Sequence, residues 1–192
     1  EDARFYEHNG IDMQGIARAG IKGITSGRFS EGASTLTQQL LKNNVFDGWT
    51  SETDEQRIKR KLQEQYLAVQ LEKRVSKDWI MENYLNTINL GQNTLGVQAA
   101  SKRYFGKNVS ELNLSECAVL AAITKSPEGF NPITNPQKNR ERWEKVLGDM
   151  LDQGYISQEQ YDEALQDDVY DRIQKVDTQV QESKKNVTSY FV

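Results

Sequence analysis

Glu1-Asp2-Ala3-Arg4-Phe5-Tyr6-Glu7-His8-Asn9-Gly10 gathers acids, a base, aromatic rings and the chain's only histidine into ten residues. Paired carboxylates beside an imidazole can take or give a proton. The same composition suits a solvated terminus, and a lone histidine is often structural. A second stretch, Gly32-Ala33-Ser34-Thr35-Leu36-Thr37-Gln38-Gln39-Leu40-Leu41-Lys42, places Thr35, Gln38, Gln39 and Lys42 at helical spacing just past a helix start. Hydroxyl, amide and ammonium donors at the positive end of a helix dipole suit an anion such as a phosphate. The alternative is an ordinary solvated face. A third stretch, Arg60-Lys61-Leu62-Gln63-Glu64, sets a carboxylate one turn after two cations and one turn before Leu67 and Ala68. The cations favour its charged form and an apolar setting opposes it. A plain helical salt bridge would use the same spacing.

The elements that must hold these groups are helical nearly throughout, with no convincing alternating strand before the last few residues. Asp12 is expected to cap a first helix to about Ser26, with Met13, Ile16, Ile21 and Ile24 as its larger apolar residues. Gly15, Gly20 and Gly23 weaken that helix, each by up to ~1 kcal/mol relative to alanine. Gly27 to Gly32 reads as a turn, and Ser34 as the cap of a helix from Thr35 to Asn44. Asp47 to Gln56 reads as a mobile polar loop. A third helix spans Arg57 to Arg74, with Leu62, Tyr66, Leu67, Val69 and Leu71 as its apolar stripe. Ser76 caps a fourth, with Ile80, Tyr84, Leu85 and Ile88 inward and Gly91 as its stop. Leu95 to Phe105 is a shorter helix. Ser115 opens a helix to Ile123 that is apolar on all sides and must be buried. Asn135-Pro136 starts a helix lined by Trp143, Val146, Leu147, Met150 and Leu151, ended by Gly154. Ser157 with Gln160 makes a capping box for a last short helix. From Asp167 to Val192 the chain reads as a polar linker.

The chain has 192 residues, enough for one domain or one domain with two lobes. A net charge of −4 argues against a nucleic-acid partner. Cys117 is the only cysteine, so counting gives no compartment; its apolar neighbours suggest a buried small hydrophobe. No apolar stretch approaches the ~20 residues that span a bilayer, and no signal peptide is visible. The chain opens on Glu1 without an initiator methionine, and reads as a fragment of a longer protein.

Together, and in this order, the three stretches resemble the motifs of the family 51 glycosyltransferases, the peptidoglycan glycosyltransferases. The family pattern Glu-Asp-x-x-Phe-x-x-His-x-Gly is matched by Glu1 to Gly10. Gly-x-Ser-Thr-x-Thr-Gln-Gln is matched by Gly32 to Gln39, and Arg-Lys-x-x-Glu by Arg60 to Glu64. Tyr84-Leu85-Asn86, Asn89-Leu90-Gly91, Tyr104-Phe105-Gly106 and the Arg-rich stretch Arg140 to Leu147 also fit. The match runs over roughly residues 1 to 165. Val187 to Val192 resembles the linker that enters the transpeptidase domain of class A penicillin-binding proteins.

The resemblance implies an all-α, lysozyme-like fold: a large helical lobe with a small membrane-facing jaw around residues 11 to 60, within a domain of residues 1 to 166. It implies transfer of a growing, undecaprenyl-pyrophosphate-linked glycan onto lipid II, in bacterial cell-wall synthesis. Glu1 is then the general base and Asp2 its support. Glu64 works on the donor side, holding pyrophosphate directly or through a divalent metal, Mg2+ or Mn2+; no organic cofactor is expected. Lys42 binds pyrophosphate, lined by Ser34, Thr35, Gln38 and Gln39, with Arg57, Arg60, Lys61, His8 and Asn86 as further site residues. Arg57 is the expected counterpart of the family's loop arginine. Gln63 stands where the family often has a basic residue, and the span from Lys42 to Glu64 is longer than usual. The implied setting is the outer face of the bacterial cytoplasmic membrane, anchored by an N-terminal segment absent from this chain. The implied partners are the membrane surface, the cell-wall synthesis machinery and the inhibitor moenomycin. A hydrolase or lytic transglycosylase would also use two carboxylates, but the Thr-Gln-Gln-x-x-Lys face suits a pyrophosphate leaving group. A non-catalytic binding module would not need both glutamates.

Overall fold

A computed structural model describes residues 2–26, 33–46 and 51–189, except the side chains of 22–24, 26 and 184–189. Among the described residues the chain is all helical, apart from one isolated bridge between Asn89 and Leu95. It divides into two compact units, Glu1–Ile88 and Asn89–Val192.

The first unit holds α1 (Met13–Ser26), α2 (Leu36–Val45), α3 (Asp54–Glu72) and α4 (Lys77–Thr87), with α2 packed on both α3 and α4. Asp12 caps α1, its carboxylate accepting the Gly15 N–H at 2.9 Å. A Cβ at Gly15 would lie 2.5 Å from that carboxylate, which accounts for one of the helix's glycines. The cap of α2 is Thr35, not Ser34. Thr35 with Gln38 three residues on forms a reciprocal capping box, and Ser34 is left to face α3. The polar stretch expected to be a mobile loop is partly helix. Thr53 and Gln56 form another capping box, Asp54 and Glu55 complement the dipole, and α3 begins at Asp54. Residues 47–50, and the expected turn at 27–32, lie outside the described residues.

Helix α3 keeps part of its expected stripe inward, with Leu67, Val69 and Leu71 half-buried. Arg60, Glu64 and Ala68 are its buried residues, while Leu62 and Tyr66 are exposed. The charged residues turn inward because each finds an opposite charge there. In α4, Ile80, Tyr84 and Ile88 are buried as expected, but Leu85 is exposed. The helix stops at Thr87, and Gly91 takes its left-handed conformation (φ +77°) in the following loop.

The second unit holds α5 (Val97–Phe105), α6 (Leu114–Ile123), α7 (Pro136–Asp152), α8 (Gln158–Gln166) and α9 (Val169–Ser189). Helix α6 is its core element, with Ala118, Val119, Leu120, Ala122 and Ile123 buried. Its cap is Asn113 rather than Ser115, through a box with Glu116. Cys117 faces outward and is exposed, against expectation. The stretch read as a linker forms α9 from Val169. Val169, Tyr170 and Ile173 are buried, and the Tyr170 hydroxyl donates to Asn139 at 2.6 Å. Val169 and Ile173 lie one turn apart with Tyr170 beside them, and Val176 and Val180 continue the apolar spacing along a largely polar helix.

Candidate active site

Gly10 ends the first motif and fastens it. Its φ is +90°, and a Cβ there would stand 2.6 Å from the Ala68 carbonyl carbon and 2.7 Å from the Val69 nitrogen. Its carbonyl accepts the Thr35 hydroxyl at 2.8 Å. The motif is thus pinned between the backbone of α3 and the start of α2. Gly10→Ala adds both left-handed strain and a backbone clash, and is expected to cost about 3 kcal/mol. Urea denaturation checks this; a loss under about 1 kcal/mol would contradict so close an approach.

Asp2 and His8 form the first cluster, both nearly fully buried. The Asp2 carboxylate accepts His8 Nε2 at 3.0 Å and the Leu36 backbone N–H, at the positive end of α2, also at 3.0 Å. Gly10 N–H donates to His8 Nδ1 at 3.2 Å, so the ring proton sits on Nε2, facing Asp2. Glu1 lies outside the described residues. Asp2 holds the start of α2 and orients His8, roles beyond the support of Glu1 expected of it.

Glu64 is the centre of the second cluster and is 0% exposed. One oxygen accepts from Arg60 Nη1; the other accepts Lys61 Nζ at 2.8 Å. Lys61 also donates to the Ser34 hydroxyl at 3.0 Å, tying α3 to the start of α2. Arg60 has a second carboxylate, Glu52, 2.6 Å from its Nε. Lys42 stands close enough to feel the same charges. Burial, above all, holds its ammonium below the ordinary lysine range; Lys61 and Arg60 push the same way and Glu64 opposes them. Arg60 and Lys61 thus hold one buried carboxylate between them, with a second carboxylate, Glu52, on Arg60.

The remaining expected residues are placed differently. Thr35 and Gln38 are buried and serve the cap of α2. Gln39 accepts the Tyr84 hydroxyl at 3.3 Å, bridging α2 to α4. Arg57 is exposed and pairs with Asp54 at 2.5 Å, one turn back on its own helix. Asn86 is exposed in the last turn of α4. Sequence reasoning overlooked Glu52, Glu72, Lys77 and the Arg4–Asp12 pair. Arg4 reaches both Asp12 oxygens at 2.6 Å and holds that carboxyl below the usual carboxylate range. Among the described residues, no group of three or more His, Cys, Asp or Glu side chains could hold a metal ion.

A model of the family described as transglycosylase matches residues 1–151. The chain belongs to the transglycosylase family. As a transglycosylase domain it is an enzyme, of the peptidoglycan glycosyltransferase kind found in penicillin-binding proteins. It is 46% identical over 169 residues to penicillin-binding protein 1A of Haemophilus influenzae, covering 88% of this chain and 19% of the relative. It is 47% identical over 174 residues to penicillin-binding protein 1A of Clostridium perfringens strain 13, covering 86% and 25%. Against penicillin-binding protein 1F of Bacillus subtilis strain 168 it is 48% identical over 157 residues, covering 82% and 21%. The chain therefore spans a quarter or less of the length of these relatives. The crystal structure of the Haemophilus influenzae protein shares 46% identity with it at a TM-score of 0.47, over 48% of this chain and 14% of that one. Among the described residues, no helix of this transglycosylase domain is long and apolar enough to cross a membrane.

Proposed function

We propose that this transglycosylase domain polymerises lipid II into β-1,4-linked glycan by direct, inverting displacement of undecaprenyl pyrophosphate. The observation that supports this most is the buried Glu64 held between Arg60 and Lys61, with the charge of Lys42 felt by the same cluster. A diphosphate leaving group develops negative charge as its bond to the anomeric carbon breaks. Fixed cations in a partly buried site stabilise that charge without reorganising. Glu1 takes the proton from the acceptor's 4-hydroxyl as its oxygen attacks that carbon. The bonding pair of the departing C–O bond leaves with the pyrophosphate, and one inversion turns an α-linkage into a β-linkage. Glu64 keeps the cations together and aimed. Both its oxygens already accept from cations, a donor set that fits an incoming anion and not a divalent metal, so no step is routed through one.

Exposed Met13 and Ile21 on α1, at 69% and 65%, support a lipid-facing role for that helix beside the membrane on which such a substrate lives. Placement at the outer face of the cytoplasmic membrane, engagement with the cell-wall synthesis machinery and inhibition by moenomycin follow from the same reading.

Lys42→Met tests the anion site. Folding lowers the Lys42 pKa, so its charge opposes folding near neutral pH, and removing the charge should leave Tm unchanged or raised. Polymerisation should nonetheless fall by about 10²- to 10³-fold. Lipid II turnover and a thermal melt on the same variant decide this. Full activity in Lys42→Met would sink the assignment.

A further inference from the structure

We propose that Lys77 is a positioning residue of this site, holding the His8–Asp2 pair in its working orientation; the proposal rests on the polymerase reading above. Lys77 is the first residue of α4, against the positive end of the helix dipole, where a cation is unfavourable. Something else must hold it there. Its Nζ lies 2.7 Å from Glu72 Oε2, 3.5 Å from His8 Nδ1 and 4.4 Å from the centre of the Phe5 ring.

These contacts close a ring. Thr37 of α2 donates to Glu72 at the end of α3, and Glu72 pairs with Lys77 at the start of α4. Lys77 faces His8, His8 donates to Asp2, and Asp2 accepts the Leu36 N–H back on α2. Glu72 and Asp2 have side chains only 4% and 3% exposed, so each is costly to leave without its partner. Two donors, Gly10 N–H and Lys77 Nζ, face His8 Nδ1. They keep the proton on Nε2, where it binds Asp2. Asp2 is joined by a peptide bond to Glu1, the expected base, so what orients Asp2 sets where that base is attached. Lys77 touches no reacting atom in this scheme; it acts through His8 and Asp2.

His8 is the chain's only histidine, so its ring nitrogens give one unambiguous NMR signature in untagged protein. In the parent, long-range 15N–1H spectra should show the Nε2–H tautomer. Gly10 N–H still faces Nδ1 in Lys77→Met, so the tautomer should persist while the Nδ1 chemical shift moves, and kcat for lipid II polymerisation should fall roughly 10- to 100-fold with KM within about threefold. Lys77→Arg, which keeps the charge, should recover most of kcat. Should Lys77→Met fold poorly, Glu72→Gln keeps the shape, releases Lys77 and should show the same kcat loss. A polymerising parent whose Lys77→Met variant, or in its place Glu72→Gln, keeps kcat and the His8 Nδ1 chemical shift overturns the positioning role alone. Equal loss of kcat and rise of KM, without rescue by arginine, also overturns it, because that is the mark of a merely structural lysine. A parent that makes no polymer overturns the polymerase reading, and this proposal with it.

Discussion

Glu1→Gln should stop glycan polymerisation while leaving the fold and donor binding intact. The change replaces one oxygen by an NH2 group and keeps the side chain's size. What it removes is the ability to accept the acceptor hydroxyl's proton, a contribution of about 10²- to 10⁴-fold. Among the described residues of the same motif, Asp2 and His8 are already engaged. The nearest described carboxylate in sequence, Asp2, is committed to His8 and to the Leu36 N–H. The imidazole of His8 has its Nε2 proton on Asp2 and its Nδ1 facing two donors. Both are spoken for by the architecture that holds the motif. The measurement is the initial rate of lipid II consumption, beside the affinity for a non-reacting donor analogue. Unchanged affinity with lost turnover supports the base. Turnover within tenfold of the parent would assign the proton to another group.

Glu64→Gln should behave differently: it should lose stability as well as activity. The carboxylate is wholly buried, and Arg60 and Lys61 each occupy one of its oxygens. Neutralising it leaves these cations and Lys42 facing one another with only Glu52 in reach of Arg60. Breaking a buried pair by removing one partner costs about 3–5 kcal/mol. For a domain of this size that is a Tm loss of roughly 6–20 °C. A second substitution separates charge imbalance from lost packing. Lys61→Met placed on Glu64→Gln should return part of the lost stability, because the two changes are coupled. Additive losses would mean that the cluster is not electrostatically linked as described. Lys42 provides a further check: Glu64 holds its pKa up, so Glu64→Gln should lower the Lys42 pKa further.

Much of the fold is legible in the sequence where local chemistry decides it. Asp12, Ser76 and Ser157 cap the helices they were expected to cap, since each has a free backbone N–H within reach of a short polar side chain. Pro136 opens α7 and Trp143 and Leu147 line it. The errors share a cause: periodicity sorts residues by hydropathy, and α3 is sorted by charge. Leu62 and Tyr66 form the visible stripe, yet Arg60 and Glu64 go inside because Glu52 and Lys61 meet them there. The Lys61–Glu64 pair follows from spacing visible in the sequence, whereas Glu52 lies before the helix and hydropathy patterning does not anticipate it. Ser34 lost the cap of α2 to its neighbour because Gln38 is three residues from Thr35, the spacing a capping box needs. Helix α9 reads as linker in the sequence because its apolar residues are spread thinly among charged and polar ones. The motif stretches read from the sequence contain the residues of both clusters, Asp2 with His8 and Arg60 with Lys61 and Glu64. The wiring around them, above all Lys77 and Glu72, is not legible there, because a lysine following a serine cap reads as a solvated first turn.

The most direct test of the whole account is product analysis. A membrane-tethered form of the domain is incubated with lipid II, and its products are resolved by size and by anomeric configuration. The expected products are a ladder of β-1,4-linked glycan and one undecaprenyl pyrophosphate per linkage, with no cleavage of finished glycan. No ladder under conditions where an established polymerase makes one, or release of fragments from purified cell wall instead, would contradict the polymerase reading.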